Sequence, residues 1–168
     1  MYRLHGFRPD RRAVLAAIAV AAVALPLSAA AQEPIKIGLV TALSGQSARA
    51  GEAITRGLTI AIDELNAKGG VLGGRKFVLV RRDDEATPAK GVTAARELIF
   101  REKVAVLFGG LDTPVSMALV GVMHELKTPY MGVWAAGTGI TENGRKPNYM
   151  FRVSAVDDRV VTNTMSPT

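Results

Sequence analysis

Residues 104–114 read Val-Ala-Val-Leu-Phe-Gly-Gly-Leu-Asp-Thr-Pro. Five consecutive apolar residues with no alternation suit a strand covered on both faces, as in a parallel sheet. Gly109-Gly110 ends that strand, and Thr113-Pro114 opens a helix, because a Thr side chain can cap free amides while proline at the start of a helix gives up no bond. Downstream, Val115, Ala118, Leu119, Val122 and Leu126 recur at helical spacing. After Pro129 a further strand is expected over 130–134.

The same unit repeats upstream. Residues 35–40 (Ile-Lys-Ile-Gly-Leu-Val) predict a strand, and Ile54, Leu58, Ala61, Ile62 and Leu65 predict a helix whose apolar stripe ends at Gly69-Gly70. Gly73-Gly74 turns the chain into a second strand over 77–80. Thr87-Pro88 repeats the helix start, ahead of an inward stripe of Val92, Ala95, Leu98 and Ile99. The resulting β-α-β-α-β-α-β pattern implies right-handed crossovers, hence an α/β fold: an open parallel sheet with helices on both faces. In a 2-1-3-4 strand order, ligands sit beyond the carboxyl ends of the strands where the winding reverses. The loops there are 42–51, 109–113 and 135–141.

The formal charge of +6 is unevenly placed: Arg3, Arg8, Arg11 and Arg12 against Asp10 put +3 into residues 1–31, leaving +3 for the rest. The remaining charges alternate in sign without a basic run interleaved with aromatics, so nucleic acid is not an expected partner. With no cysteine, disulfides, thiolate metal sites and a Cys nucleophile are excluded. Arg11-Arg12 precedes an apolar run over 13–27 and small residues at 28–31, the pattern of a secretory signal removed after Ala31. The run is shorter than the ~18 apolar residues of a membrane span. Export to the periplasm follows, by the Sec route or, given the paired arginines, the Tat route.

The loop 109–114 combines close backbone approach at its glycines with the N-terminus of a helix, which attracts anions. Gly110 and Thr113 therefore suit a ligand carboxylate, although Thr113 can equally cap its own helix. Asp112 opposes a simple anion site unless it faces away or meets a cationic part of the ligand. Trp134, the single tryptophan, ends the fourth strand and either stacks on a ligand group or packs into the core. Neither Gly109-Gly110 nor Gly137-Thr138-Gly139 makes a G-x-G-x-x-G or Walker pattern, so no nucleotide cofactor is expected. His124 reads as a helix-surface residue, and Asp83-Asp84-Glu85 as a solvated acidic loop rather than a metal site. No Ser-His-Asp arrangement is present, so no catalytic residue and no enzymatic activity are expected.

From 35 to about 162 the chain resembles the type I periplasmic solute-binding proteins of the branched-chain amino-acid ABC transport class. The resemblance rests on the opening Ile-Lys-Ile-Gly-Leu-Val-Thr-Ala-Leu-Ser-Gly, on Gly51 and Gly57 ahead of the run 62–74 (Ile-Asp-Glu-Leu-Asn-Ala-Lys-Gly-Gly-Val-Leu-Gly-Gly), and on Asp83-Asp84 with Thr87-Pro88. Phe108-Gly109-Gly110, Thr128-Pro129 and Tyr149-Met150-Phe151-Arg152 continue it in order. It implies a two-lobed carrier that closes on a small solute and hands it to an ABC permease in the inner membrane, without a cofactor and without chemistry on the ligand. By similarity, the ligand carboxylate is held by Thr113 and by Ala135, Ala136 and Thr138, with Ser44, Gly45 and Gln46 lining the cleft. Asp112 and Trp134 depart from the leucine-type pattern, leaving an amino acid, an amide or an aromatic acid as the solute.

The expected organisation is a signal peptide over 1–31, an N-terminal ligand-binding lobe over 32–153, and over 154–168 the start of a crossover helix to a second lobe that this chain lacks. Ser154-Ala155-Val156-Asp157 reads as the capping box of that helix. A single open wall would bind solute weakly, because good pockets bury about 70–90% of the ligand surface. The alternatives are the ligand-sensing domain of a signalling receptor, a non-functional truncated fragment of the carrier, and a flavodoxin-like enzyme, which would carry a visible-absorbing flavin.

Overall fold

The computed structural model describes residues 32–165; the expected signal segment lies outside the described residues. The elements are β1 (Ile35–Thr41), α1 (Ala48–Ala67), β2 (Phe77–Asp83), α2 (Pro88–Phe100), β3 (Val106–Gly109), α3 (Thr113–Glu125), β4 (Tyr130–Gly132), a 3-10 turn (Thr138–Ile140), β5 (Met150–Arg152) and α4 (Asp157–Met165). All pairings within the sheet are parallel, in the order β2-β1-β3-β4-β5. The winding reverses between β1 and β3, as the alternating pattern predicts. A fifth strand, β5, extends the sheet beyond the four read from periodicity, since three residues are too few to display a period.

Charge explains why β2 outruns its predicted length. Arg81, Arg82 and Asp83 pair with Leu39, Val40 and Thr41 of β1, although the predicted strand ends at Val80 and Asp83 reads as loop. An edge strand tolerates and benefits from charged side chains, which discourage pairing with another chain. Arg82 lies 2.9 Å from Glu97 of α2 and 3.2 Å from Glu102.

One face of the sheet holds the main core. Val40, Leu107, Tyr130 and Met150 from the strands meet Ala94, Ala95 and Leu98 of α2 and Val115, Leu119, Val122 and Met123 of α3. α1 connects β1 to β2 against the direction in which α2 and α3 run, so right-handed crossovers place it on the other face. There the predicted stripe is rotated. The buried line of α1 runs through Gly51, Thr55 and Ile62, while Ala61 and Leu65 are exposed. Gly51 sets this rotation, because a Cβ there would stand 1.8 Å from the carbonyl oxygen of Ala42. The helix approaches the end of β1 backbone to backbone, a contact that a count of apolar residues cannot register.

Four local readings need revision. α3 begins at Thr113 itself, so its N-cap is Asp112 and not Thr113, and no side chain caps it. α4 begins at Asp157, and Ser154 forms no capping box: its hydroxyl donates instead to the carbonyl of Ala135 at 2.7 Å. Asp84 is not a solvated loop residue, having only 1% of its surface exposed. His124 does more than face solvent: Nδ1 lies 2.7 Å from the Val120 carbonyl, and Nε2 accepts the Tyr149 amide at 3.4 Å. With both ring nitrogens engaged, His124 ties α3 to the approach to β5.

Candidate ligand-binding site

At the carboxyl ends of β1, β3 and β4 the three loops named from the sequence come together, and the chemistry of each follows from what anchors it. The loop after β3 is fixed by glycine. Gly110 has φ +81°, in the left-handed region, and a Cβ there would come within 2.0 Å of Ser116 Oγ and 2.3 Å of the Tyr130 hydroxyl. Those two hydroxyls lie 2.9 Å apart, and Ser116 Oγ also donates to the Asp112 carbonyl at 3.2 Å. Burial and the nearby charge of Asp84 push the Tyr130 phenol well above its ordinary pKa, although its bond to Ser116 works the other way, so it stays a neutral hydroxyl.

The loops after β3 and β4 are stitched to each other. The amide of Val133 donates to the Gly109 carbonyl at 3.1 Å, and that of Ala135 to the Gly110 carbonyl at 2.8 Å. Side chains lock them further, since a Cβ on Gly137 would stand 2.5 Å from the Thr113 methyl and one on Gly139 3.1 Å from Met117. Thr113, Ala135, Ala136 and Thr138 therefore share one shelf beside the first turn of α3, whose initial amides have no acceptor within the helix. Thr113 is half-buried, and its hydroxyl makes no hydrogen bond among the described residues.

The far side of the β4 loop is held by the segment that leads from β5 into α4. Arg152 Nη1 donates to the carbonyls of Ala136 at 2.8 Å and Gly137 at 3.0 Å. The Asp157 amide also donates to the Ala136 carbonyl at 3.0 Å, and the Asp158 amide donates to the Thr138 hydroxyl at 3.2 Å. Together with the Ser154 bond, the acceptors of the loop are taken up from behind. Neither Arg152 nor Ser154 emerged as a site residue from the sequence; the run Tyr149-Met150-Phe151-Arg152 was the only signal of their neighbourhood.

Ser44, Gly45 and Gln46 are exposed, and Gly45 adopts φ +70°. This loop is pinned by Asp83, which accepts the amides of Leu43 at 2.9 Å and Glu85 at 2.8 Å. Partial burial disfavours ionisation of Asp83, yet the Ser44 hydroxyl and these two amides outweigh it and hold the carboxyl below the usual range. Ser44 is thus turned toward Asp83. Trp134 is 58% exposed, which overturns core packing. Asp112 turns inward: its Oδ2 is buried without a hydrogen-bond partner. Of the two ways it could coexist with an anion site, facing away is the one the structure displays.

The opposite end of the sheet carries a hollow of about 710 Å³ lined by Glu33, Lys36, Arg75, Arg101 and Glu102 among others. Lys36 is already paired with Glu102 at 2.8 Å, and Arg75 with the Glu33 carbonyl. Two of its four lining cations are thus engaged, whereas the strand-end shelf lies where the winding of the sheet reverses and is the stronger candidate.

Comparison with known proteins bears on the same region. Residues 34–167 match the family model described as periplasmic binding protein. The chain is 38% identical over 141 residues to Leu/Ile/Val-binding protein homolog 7 of Brucella abortus (strain 2308), covering 83% of this chain and 35% of that protein. It spans about a third of the length of such relatives. A solute binding protein of an ABC transporter from Rhodopseudomonas palustris BisB5, in complex with 3,4-dihydroxybenzoic acid, superposes with TM-score 0.64 at 30% identity, covering 73% of this chain and 32% of that one. The branched-chain amino acid transporter substrate binding protein LivJ from Streptococcus pneumoniae, in complex with isoleucine, does so with TM-score 0.68 at 25% identity, covering 79% and 39%. With a matched family model over most of its length and the parallel five-stranded lobe that goes with it, the chain belongs to the periplasmic binding protein family.

Proposed function

We propose that the chain forms the N-terminal ligand-binding lobe of an extracytoplasmic solute-binding protein of an ABC transporter, which takes a small carboxylate solute and delivers it to a permease in the inner membrane. Residues 1–31 act as the export signal, 32–153 form the lobe, and 154–168 begin the passage toward a second lobe. The solute is an amino acid or an aromatic acid, the two classes bound by the relatives that superpose on the lobe. It is held and released unchanged.

The observation that carries this reading is the stitching of Gly109 and Gly110 to Val133 and Ala135. It brings Thr113 and the helix N-terminus beside Ala136 and Thr138, next to the point between β1 and β3 where the winding reverses. Preorganised donors of this kind suit an anion, because the first-turn amides and the helix dipole both favour negative charge. Trp134 offers an exposed ring to an aromatic or aliphatic solute group, and Ser44, Gly45 and Gln46 border the shelf.

The experiment is a thermal-shift comparison of the chain with amino acids and hydroxybenzoates against their uncharged amides and esters at millimolar concentration. Any ligand that binds only the folded state raises the melting temperature. The reading expects a rise with one class of acids and none with the matching neutral compounds. Equal responses to acid and ester would remove the carboxylate from the account.

A further inference from the structure

The amino ends of β4 and β5, at the opposite end of the sheet from the shelf, border a hollow that the proposed solute binding does not use. It measures about 380 Å³ and is lined by His124, Lys127, Arg145, Lys146, Pro147 and Tyr149. Three of these side chains are cations and none is an acid. Lys127, Arg145 and Lys146 are exposed, and among the described residues none of them takes part in an ion pair. The acids nearest to them in sequence are engaged elsewhere, Glu125 by Arg96 at 2.7 Å and Glu142 by Arg159 at 4.0 Å. The hollow beside Lys36 differs in this respect, since Glu33 and Glu102 line it along with its cations.

Two separate stretches of chain bring these cations together, and each is held in place. Lys127 follows the last turn of α3. His124 ties that turn to the approach to β5 through the Tyr149 amide at 3.4 Å, and its ring meets the Tyr149 ring edge-on, with 5.7 Å between centroids. Arg145 and Lys146 stand on a turn fixed by two asparagines. Asn143 Oδ1 accepts the Arg145 amide at 3.0 Å, and Asn143 Nδ2 donates to Asn148 Oδ1 at 3.1 Å and to the Ile140 carbonyl at 2.9 Å. Asn148 Nδ2 donates in turn to the Thr141 carbonyl at 2.8 Å. The negative end of the helix dipole accounts for Lys127 alone. It gives no reason for two further cations from another segment to line the same hollow, where like charges oppose one another unless an anion stands among them.

We propose that this hollow binds a phosphate monoester, with Lys127, Arg145 and Lys146 supplying the charge. The Tyr149 hydroxyl, which has no hydrogen-bond partner among the described residues, is a further donor. A concave surface lined by one sign of charge concentrates ions of the other sign. Guanidinium and ammonium groups both suit phosphate oxygens, the first as a planar fork and the second as a point charge. A carboxylate would answer only one of the three cations, whereas a phosphate monoester carries roughly two charges near neutral pH. The same group is presented by small soluble esters and by the headgroup of phosphatidic acid. The proposal stands apart from solute binding at the shelf.

The test titrates the intact, isotopically labelled chain with glycerol phosphate, using sodium chloride at matched ionic strength as the reference, and follows the amide shifts. The expected result is a saturable change over 124–127 and 145–149 that chloride does not reproduce, with 134–138 unmoved. Lys127→Gln combined with Lys146→Gln should lower the affinity at least about tenfold, because hydrogen bonds to charged groups are among the stronger ones. Lys127→Arg combined with Lys146→Arg should retain it, which separates loss of charge from loss of fold. In a second arm the chain is sedimented with phosphatidylcholine vesicles with and without phosphatidic acid. Sedimentation with phosphatidic acid that glycerol phosphate competes away assigns the phosphate to a lipid headgroup; saturation by glycerol phosphate without sedimentation assigns it to a soluble ester. Changes that chloride reproduces would reduce the hollow to a region of diffuse counterions, and undiminished affinity in the double Gln variant would place the phosphate elsewhere. Either result overturns the proposal, and neither bears on solute at the other end of the sheet.

Discussion

The hydroxyls of Ser116 and Tyr130 meet at 2.9 Å directly beneath Gly110, whose missing side chain is the space they occupy. Gly110→Ala would drive a methyl into both and hold it in a left-handed backbone. The backbone term alone is about 1–2 kcal/mol, and displacing the hydroxyl pair adds to it. We expect a loss of at least about 2 kcal/mol by urea denaturation, with altered amide shifts over 109–113. A loss below about 0.5 kcal/mol, the range of neutral surface changes, would contradict the assignment of this loop as rigid.

Two glycines of α1 should respond in opposite directions to the same substitution. Gly51→Ala places its Cβ 1.8 Å from the Ala42 carbonyl oxygen, so the helix must move off β1. Gly57 has open space around its Cβ position and helical neighbours on both sides. Gly57→Ala should stabilise by about 0.5–1 kcal/mol, because alanine loses less backbone freedom in a helix. Thermal unfolding of the two variants checks the pair, and stabilisation by Gly51→Ala would refute the close approach.

These glycines mark where the sequence was legible and where it was not. Alternating strand and helix patterns disclosed the parallel sheet, and the loops beyond its carboxyl ends could be named before any geometry was known. The stripe of α1 was misplaced because Gly51 and Thr55 take up a buried line that apolar counting assigned to Ala61 and Leu65. Asp84 read as a solvated acid because burial is a property of what packs over a residue, here α2 and α3. Arg152 and Ser154 were passed over for a similar reason: their partners are backbone carbonyls, which have no identity in a sequence.

Ser154 should govern the order of the loop after β4. Ser154→Ala strands the Ala135 carbonyl in a residue only 3% exposed. A buried acceptor left without its donor costs about 1–3 kcal/mol. Amide hydrogen exchange over 135–138 should quicken by a corresponding factor while the core of α3 stays protected. Unchanged exchange in the loop would mean that Arg152 and Asp157 suffice to hold it.

Stability should carry the signature of Asp84. Its folded-state pKa of about 6 lies above the ordinary 3.8, so the native state binds this proton more tightly than the unfolded chain. The stabilisation is fully present below about pH 4, declines as pH rises through the interval, and is gone above about 6. The amplitude is on the order of 3 kcal/mol. Subtracting the pH–stability curve of Asp84→Asn from that of the parent chain cancels the other carboxyls. A difference that is flat across this interval would show that Asp84 ionises as freely in the fold as outside it.

The central claim is that the shelf formed by Thr113, Ala136 and Thr138 receives a small carboxylate. It is tested most directly by mapping amide chemical-shift changes across the isotopically labelled chain while isoleucine or 4-hydroxybenzoate is added to millimolar concentration, where weak binding is still visible. The account predicts saturable changes confined to residues 44–46, 110–113 and 134–138, accompanied by a change at the Trp134 indole. Saturable changes centred instead on Lys36, Arg75 and Arg101 at the opposite end of the sheet would contradict it.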